Sequence, residues 1–266
     1  MVYNYTELRG SEVLIMKLWY MNGAGNDFAV VDARGVSFEM SDMAVRACQM
    51  LGADGFMALD KSDVADFKLH FYNSDGSCAQ MCGNGARCIC RFAYDNGIVG
   101  ERMSVETDAG TVFGERISED RYKVRLNLPT DIRLDVINRV DYVRVGVPHV
   151  VIARDALDFD ESDRLSELAR EYRKRFDANV NFYLRISESE VRNLTYERGV
   201  EDFTLACGTG SAAVAATLWS KGELSGNSLT VKNKGGELTV TIESRENEIT
   251  ALYLEGSAEV DKIVEY

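Results

Sequence analysis

Two short runs carry the residues of this 266-residue chain best suited to moving a proton: Cys82-Gly83-Asn84-Gly85 and Cys207-Gly208-Thr209-Gly210. Both read C-G-x-G, both lead into a run of small, helix-compatible residues, and the two cysteines stand 125 positions apart. The glycines allow a tight loop-to-helix turn and a close approach of a ligand to the backbone. The first N–H groups of a helix have no partner within it, and together with the macrodipole they make a site for an anion such as a carboxylate. The same field lowers a thiol pKa from its reference of about 8.5. A thiolate beside a carboxylate-binding turn can take a proton from the adjacent carbon. Inverting that carbon needs a base on one face and an acid on the other, and two such thiols supply both. N–H groups on the carboxylate would stabilise the carbanion-like state, and exclusion of water by domain closure would strengthen them.

Single cysteines are usually small core hydrophobes, so Cys48, Cys78, Cys88 and Cys90 carry no chemistry on this reading. The pair at one position of two similar segments is different. No C-x-x-C pair occurs and His70 and His149 are the only histidines, so no zinc or other metal site is expected. Neither glycine loop completes a dinucleotide fingerprint or a phosphate loop ending in Lys-Ser/Thr, which argues against a nucleotide-binding module. A redox pair is a further reading. Oxidation could join two thiols that face each other, and such a bond would inactivate a proton-transfer site.

The elements that must position these turns are written twice. Tyr72 and Tyr196 end similar apolar runs, 124 apart, and Gly110 and Gly236 sit in similar turns, 126 apart. Gly25-Asn26-Asp27-Phe28 resembles Gly146-Val147-Pro148-His149 at an offset of 121, and the offset returns to 126 at Gly55 and Asn181. A longer helix through Leu165–Arg173 accounts for the jump. This register over most of the chain indicates two copies of one domain. Alternating runs at 16–21, 67–72, 122–128 and 238–242 predict half-buried strands. Two helices are predicted per half, at 42–51 and 86–96 and at 163–176 and 211–220, with Gly97 and Gly222 as their stops. Ser211 to Trp219 is apolar almost all round, as in a helix wrapped by its own sheet. The fold class is α/β (α+β), two duplicated domains each with a curved, mostly antiparallel sheet around a central helix. The domains are placed at 16–128, completed by the last strand near 257–266, and at 129–256, with 1–15 an extension.

The formal net charge of −13 opposes nucleic acid and anionic membrane surfaces as partners. No apolar stretch is long enough for a membrane span and the first residues lack the pattern of a secretory signal, so a cytoplasmic protein is expected.

The chain resembles the diaminopimelate epimerase family from about Met16 to its C-terminus. The resemblance is carried by Gly25-Asn-Asp-Phe28, Asn73-Ser-Asp-Gly76, Met81-Cys-Gly-Asn-Gly-Ala-Arg87, Pro148-His149, Asn179-Val180, Glu197-Arg198-Gly199 and Ala206-Cys-Gly-Thr-Gly210. It implies an isomerase of lysine and peptidoglycan precursor biosynthesis that interconverts LL- and meso-2,6-diaminopimelate without pyridoxal phosphate, metal or other cofactor, often as a homodimer. By the same resemblance, Cys82 and Cys207 are the acid/base pair, and His149 and Glu197 support the thiols. Gly83, Asn84, Gly208 and Thr209 hold the reacting carboxylate. Asn26, Asn73, Asn179 and Arg198 recognise the substrate, chiefly its distal amino-acid end. An arginine suits that distal carboxylate because it can bind it through two parallel hydrogen bonds.

Three departures bear on the substrate. Val147 stands where many members have Asn before Pro-His, Phe203-Thr204 stands where many read Glu-Thr, and the loop from Glu197 to Cys207 is one residue longer than in some. The alternative substrate reading is therefore racemisation of another amino acid, such as histidine, by the same chemistry. Isomerases of phenazine biosynthesis share the implied fold but lack the paired cysteines.

Overall fold

The computed structural model describes residues 16–79, 82–137 and 139–266. The proposed 1–15 extension and Met81 of the first Cys-Gly block lie outside the described residues. The chain divides into two compact units, one running through Val124 and taking back Ser257–Tyr266, the other Arg125–Gly256.

The elements in chain order are β1 (Lys17–Gly23), β2 (Asn26–Asp32), α1 (Met40–Leu51), β3 (Gly55–Asp60), β4 (Phe67–Asn73), α2 (Gly83–Asp95), β5 (Arg102–Thr107), β6 (Gly110–Arg116) and β7 (Arg121–Arg125). There follow β8 (Thr130–Ile137), β9 (Val140–Val145), β10 (Val147–Ala153), α3 (Ser162–Phe176), β11 (Asn179–Arg185), β12 (Glu190–Glu197), β13 (Asp202–Thr204), α4 (Gly208–Ser220), β14 (Ser228–Asn233), β15 (Gly236–Arg245), β16 (Glu248–Ser257) and β17 (Glu259–Glu265).

Within the first unit the strands pair in the order β17-β1-β2-β3-β4-β5-β6-β7. Within the second the order is β8-β9-β10-β11-β12-β14-β15-β16. Both follow one pattern: antiparallel except at β2–β3 and β4–β5, and at β10–β11 and β12–β14, where a helix makes the crossover that parallel strands require. The duplication read from the sequence is thus present strand by strand, with one correction: Gly55 pairs with Phe28 as Asn179 pairs with His149, so Gly55 corresponds to Asn179 at an offset of 124 and Asn181 corresponds to Met57.

Each unit places one helix inside its curved sheet and one outside. α2 packs on β1, β2, β3 and β6, and α4 packs on β9, β10, β11, β14 and β15. α1 covers the other face of β2 to β4, and α3 that of β10 to β13. Strands covered on both faces read as continuous apolar runs, and Phe28-Ala-Val-Val31 is buried throughout. Ala29 and Val31 face α1 residues Ala44 and Ala47, while Val150 and Ile152 face Leu165 and Ala169 of α3. α4 buries Ala212 through Ala216 without a break, its small side chains letting strands approach from every side.

Both inner helices begin earlier than the periodicity predicts, at Gly83 and Gly208, because the cysteines themselves are the N-caps. Both stop alike. Gly97 and Gly222 adopt φ of 67° and 69°. The amides of Gly97 and Ile98 bond the carbonyls of Tyr94 and Ala93, and those of Gly222 and Glu223 bond Trp219 and Leu218, the paired bonds of a Schellman stop. The strand expected over 122–128 ends at Arg125, where the first unit gives way to the second. No helix among the described residues is long and apolar enough to cross a membrane.

Candidate active site

In the first unit Cys82 caps α2 in an extended conformation, φ −108° and ψ 130°, and its carbonyl accepts from the Ala86 amide at 2.8 Å. Gly83 and Asn84, the first two helical residues, are buried. Asn84 Nδ2 donates to Asn26 Oδ1 at 2.6 Å, which ties the helix start to the beginning of β2. A Cβ on Gly23 would lie 2.9 Å from the Asn84 carbonyl oxygen, so only glycine lets β1 run this close to the helix.

One turn below the cap lies Arg87, fully buried. Its guanidinium donates to the carbonyls of Gly83 (3.2 Å) and Ser257 (3.1 Å) and to Asn84 Oδ1 (3.1 Å). These three partners are amide and carbonyl oxygens, not carboxylates. Burial presses its pKa down, and the neighbouring Cys88 and Cys82 thiols oppose that. An arginine nonetheless keeps its charge in proteins. Asn73 closes an exposed turn in which its Nδ2 donates to Ser77 Oγ at 2.9 Å.

In the second unit Cys207 caps α4 with φ −116° and ψ 112°. Its sulfur accepts from the Gly210 amide at 3.4 Å and lies 3.6 Å from Thr209 Oγ1. Its carbonyl accepts from both the amide and the hydroxyl of Ser211, each at 2.9 Å. Glu197, the last residue of β12, reaches the same thiol. Burial pushes its carboxyl pKa up, and hydrogen bonds from Thr204 (2.6 Å) and Cys207 partly offset the rise. The β12–β13 hairpin, with Glu197 opposite Asp202, brings Thr204 there.

His149 on β10 is wholly buried. Burial, and then the Arg198 charge, take its pKa down to about 3, so the ring is neutral. Asn179 accepts the Arg198 amide on its Oδ1 at 2.7 Å, so its side chain shapes the turn after β12. The Arg198 guanidinium is partly exposed and pairs with Asp177 Oδ2 at 3.1 Å.

The structure therefore groups Cys82, Gly83, Asn84 and Asn26 in one unit, and Cys207, Gly208, Thr209 and Glu197 in the other. Within the second unit Asn179 and Arg198 are joined through the backbone. The sequence reading gave no role to Arg87, Asn181 or Thr195, and read Thr204 only as part of a departure bearing on the substrate. Their signal was a polar residue inside an apolar run, as in Ala86-Arg87-Cys88-Ile89, Val180-Asn181-Phe182 and Leu194-Thr195-Tyr196.

The duplicated fold, each sheet around a central helix, is shared with several solved structures. A hydroxyproline epimerase from Agrobacterium vitis superimposes with a TM-score of 0.70 at 18% identity, covering 95% of this chain and 91% of that one. A phenazine biosynthesis protein of the PhzF family from Bacillus anthracis gives 0.74 at 15% identity over 96% and 99%. These likenesses concern the fold alone. The family is set by sequence: the diaminopimelate epimerase family model matches residues 18–127 and 142–260. Diaminopimelate epimerase of Aquifex aeolicus is 37% identical over 91% of this chain and 94% of its own length, and that of Archaeoglobus fulgidus 38% over 84% and 88%. The chain belongs to the diaminopimelate epimerase family.

Proposed function

We propose that this chain interconverts LL- and meso-2,6-diaminopimelate by moving the α-proton between the thiols of Cys82 and Cys207, in a cytoplasmic route to lysine and peptidoglycan precursors. The observation that carries the proposal is the repeated one: a cysteine as N-cap of the central helix in each copy of the duplicated fold. The relatives' names supply the substrate.

In the forward step a thiolate takes the α-proton from one face of the carbon. The other thiol returns a proton to the opposite face, and the configuration inverts. Amides at the starts of α2 and α4, at Gly83, Asn84, Gly208 and Thr209, hold the reacting carboxylate and take up the negative charge that develops on it. Glu197, hydrogen bonded to Cys207 and with its pKa raised by burial, accepts the thiol proton and returns it. His149 supports the thiols as a neutral ring. Asn26, Asn73, Asn179 and Arg198 recognise the distal ammonium and carboxylate, with Arg198 exchanging Asp177 for the carboxylate. No cofactor takes part, and a homodimer is the proposed assembly.

The test is mass spectrometry of LL-diaminopimelate incubated in deuterium oxide with reductant and no added cofactor. One deuterium at each inverted α-carbon is expected. Exchange with another amino acid such as histidine, but none with diaminopimelate, would overturn the substrate and keep the chemistry.

A further inference from the structure

The buried polar groups of the second unit form one continuous chain. Asn181 on β11 donates from Nδ2 to the Val150 carbonyl at 2.9 Å, and the same nitrogen lies 3.2 Å from His149 Nδ1. Its Oδ1 accepts from Thr195 Oγ1 at 2.9 Å, and Thr195 accepts from Asn193 Nδ2 at 3.0 Å. Asn193 reaches Asn233, Asn233 reaches Ser211, and Ser211 donates to the Cys207 carbonyl at 2.9 Å. All six of these side chains are buried.

Donor and acceptor chemistry fixes the direction of the bonds at Asn181. A backbone carbonyl only accepts, so the atom facing Val150 is the amide nitrogen. The Thr195 hydroxyl, already accepting from Asn193, donates to the amide oxygen. The nitrogen has two hydrogens: one serves Val150 and the other points at His149 Nδ1. A ring nitrogen that meets an N–H must present its lone pair, so the imidazole proton sits on Nε2. Nε2 is buried and has no acceptor among the described residues.

The fold itself does not need an amide here. In the first unit Val30 pairs with Met57 as Val151 pairs with Asn181, and Phe28 stands where His149 stands. Met57 and Phe28 line the start of α2 at Gly85, as Asn181 and Thr195 line the start of α4 at Gly210. The same packing is made there without a polar atom.

We propose that Asn181 is a positioning residue that locks His149 in its Nε2–H tautomer, so that His149 serves the reaction as a hydrogen-bond donor and not as a proton acceptor. The assignment of a role in the reaction rests on the proposed function; the tautomer does not. The low pKa of His149, caused by burial and the Arg198 cation, keeps the lock closed at neutral pH.

The experiment uses the full chain labelled with 15N-histidine. Only two histidines occur, and His70→Gln, on β4 of the other unit, leaves His149 as the single signal. Long-range 1H–15N correlation reports which nitrogen bears the proton. The expected spectrum shows protonated Nε2 and bare Nδ1, unchanged from about pH 5 to 8. Asn181→Asp turns an acceptor toward Nδ1, so the proton should move to Nδ1. With it kcat should fall about 10–100-fold at a roughly unchanged KM, the size of effect that outer supporting partners usually have. A protonated Nδ1 in active wild type, or an unmoved proton in a folded Asn181→Asp, would overturn the proposal. Wild type that shows the expected tautomer yet inverts no diaminopimelate would overturn the proposed function and leave the lock in place.

Discussion

The two inner helices start from the same turn and end in the same stop, yet their surroundings differ in kind. Around α2 the wall is apolar, Phe28 and Met57 with Phe71 stacked edge-on against Phe28 at 5.9 Å, and the charge is a buried cation, Arg87. Around α4 the wall is polar, His149, Asn181 and Thr195, and the charge is a titratable carboxyl, Glu197, in contact with the thiol. Duplication has kept what backbone geometry demands: cap, turn, strand order and stop. Side chains facing the turn have diverged. One thiol is thus served by a charge that cannot titrate and the other by one that can. In the proposed two-thiol reaction, which runs in both directions, this difference bears on which thiol starts as the base.

The comparison can be broken most directly at the thiols. Cys82→Ala and Cys207→Ala should each lower inversion of diaminopimelate by roughly 10²–10⁴-fold, the usual range for a lost acid or base. Solvent-deuterium incorporation checks this, and undiminished inversion in either variant would mean that the pair is wrongly assigned. Glu197→Gln should cost on the order of 10²-fold in kcat, since in the proposed mechanism Glu197 relays the proton of one thiol only. The same variant has a pH signature. Burial raises the folded pKa of Glu197, so the folded chain holds that proton more tightly than the unfolded chain. This contribution is present at low pH and is lost as pH rises through the folded value. Glu197→Gln should therefore gain most in melting temperature relative to wild type above that value, and no pH dependence of the difference would remove the raised pKa.

Arg87→Met sharpens the other side. It strips donors from the Gly83 and Ser257 carbonyls and should cost roughly 1–3 kcal/mol in denaturant unfolding. It should also slow alkylation of Cys82 more than that of Cys207. Equal slowing would mean that the buried cation does not act on its own thiol. For His149 the folded pKa lies below the unfolded one, so stability present above about pH 6.5 is lost as pH falls toward about 3. His149→Phe should flatten that acid limb by ~1.4 kcal/mol per pH unit. The smallest effect is expected at Arg198→Lys: KM up about tenfold with kcat held, and stability within ~1 kcal/mol because its Asp177 partner is exposed.

Much of the frame was legible in the linear chain because it rests on local signals. The C-G-x-G turns, the glycines past each inner helix and the apolar run of α4 obey rules of backbone conformation and periodicity, and their repetition discloses two copies. The helix starts were displaced by three residues because nothing local says that a cysteine, and not the small residue after the turn, will be the cap. The family motifs named the candidate residues around both thiols.

What those residues touch was decided in three dimensions. Asn181, Thr195 and Asn233 lie far apart in the chain and meet only because β11, β12 and β14 are neighbours in the second sheet. Arg87 finds its Ser257 partner 170 residues away because the C-terminal strand returns to the first unit. By itself, then, the sequence determined the duplicated α/β fold, the two cysteine caps and the family. The tertiary structure alone decided which protons His149 and Glu197 can hold, because burial and hydrogen-bond direction arise only when distant strands pack.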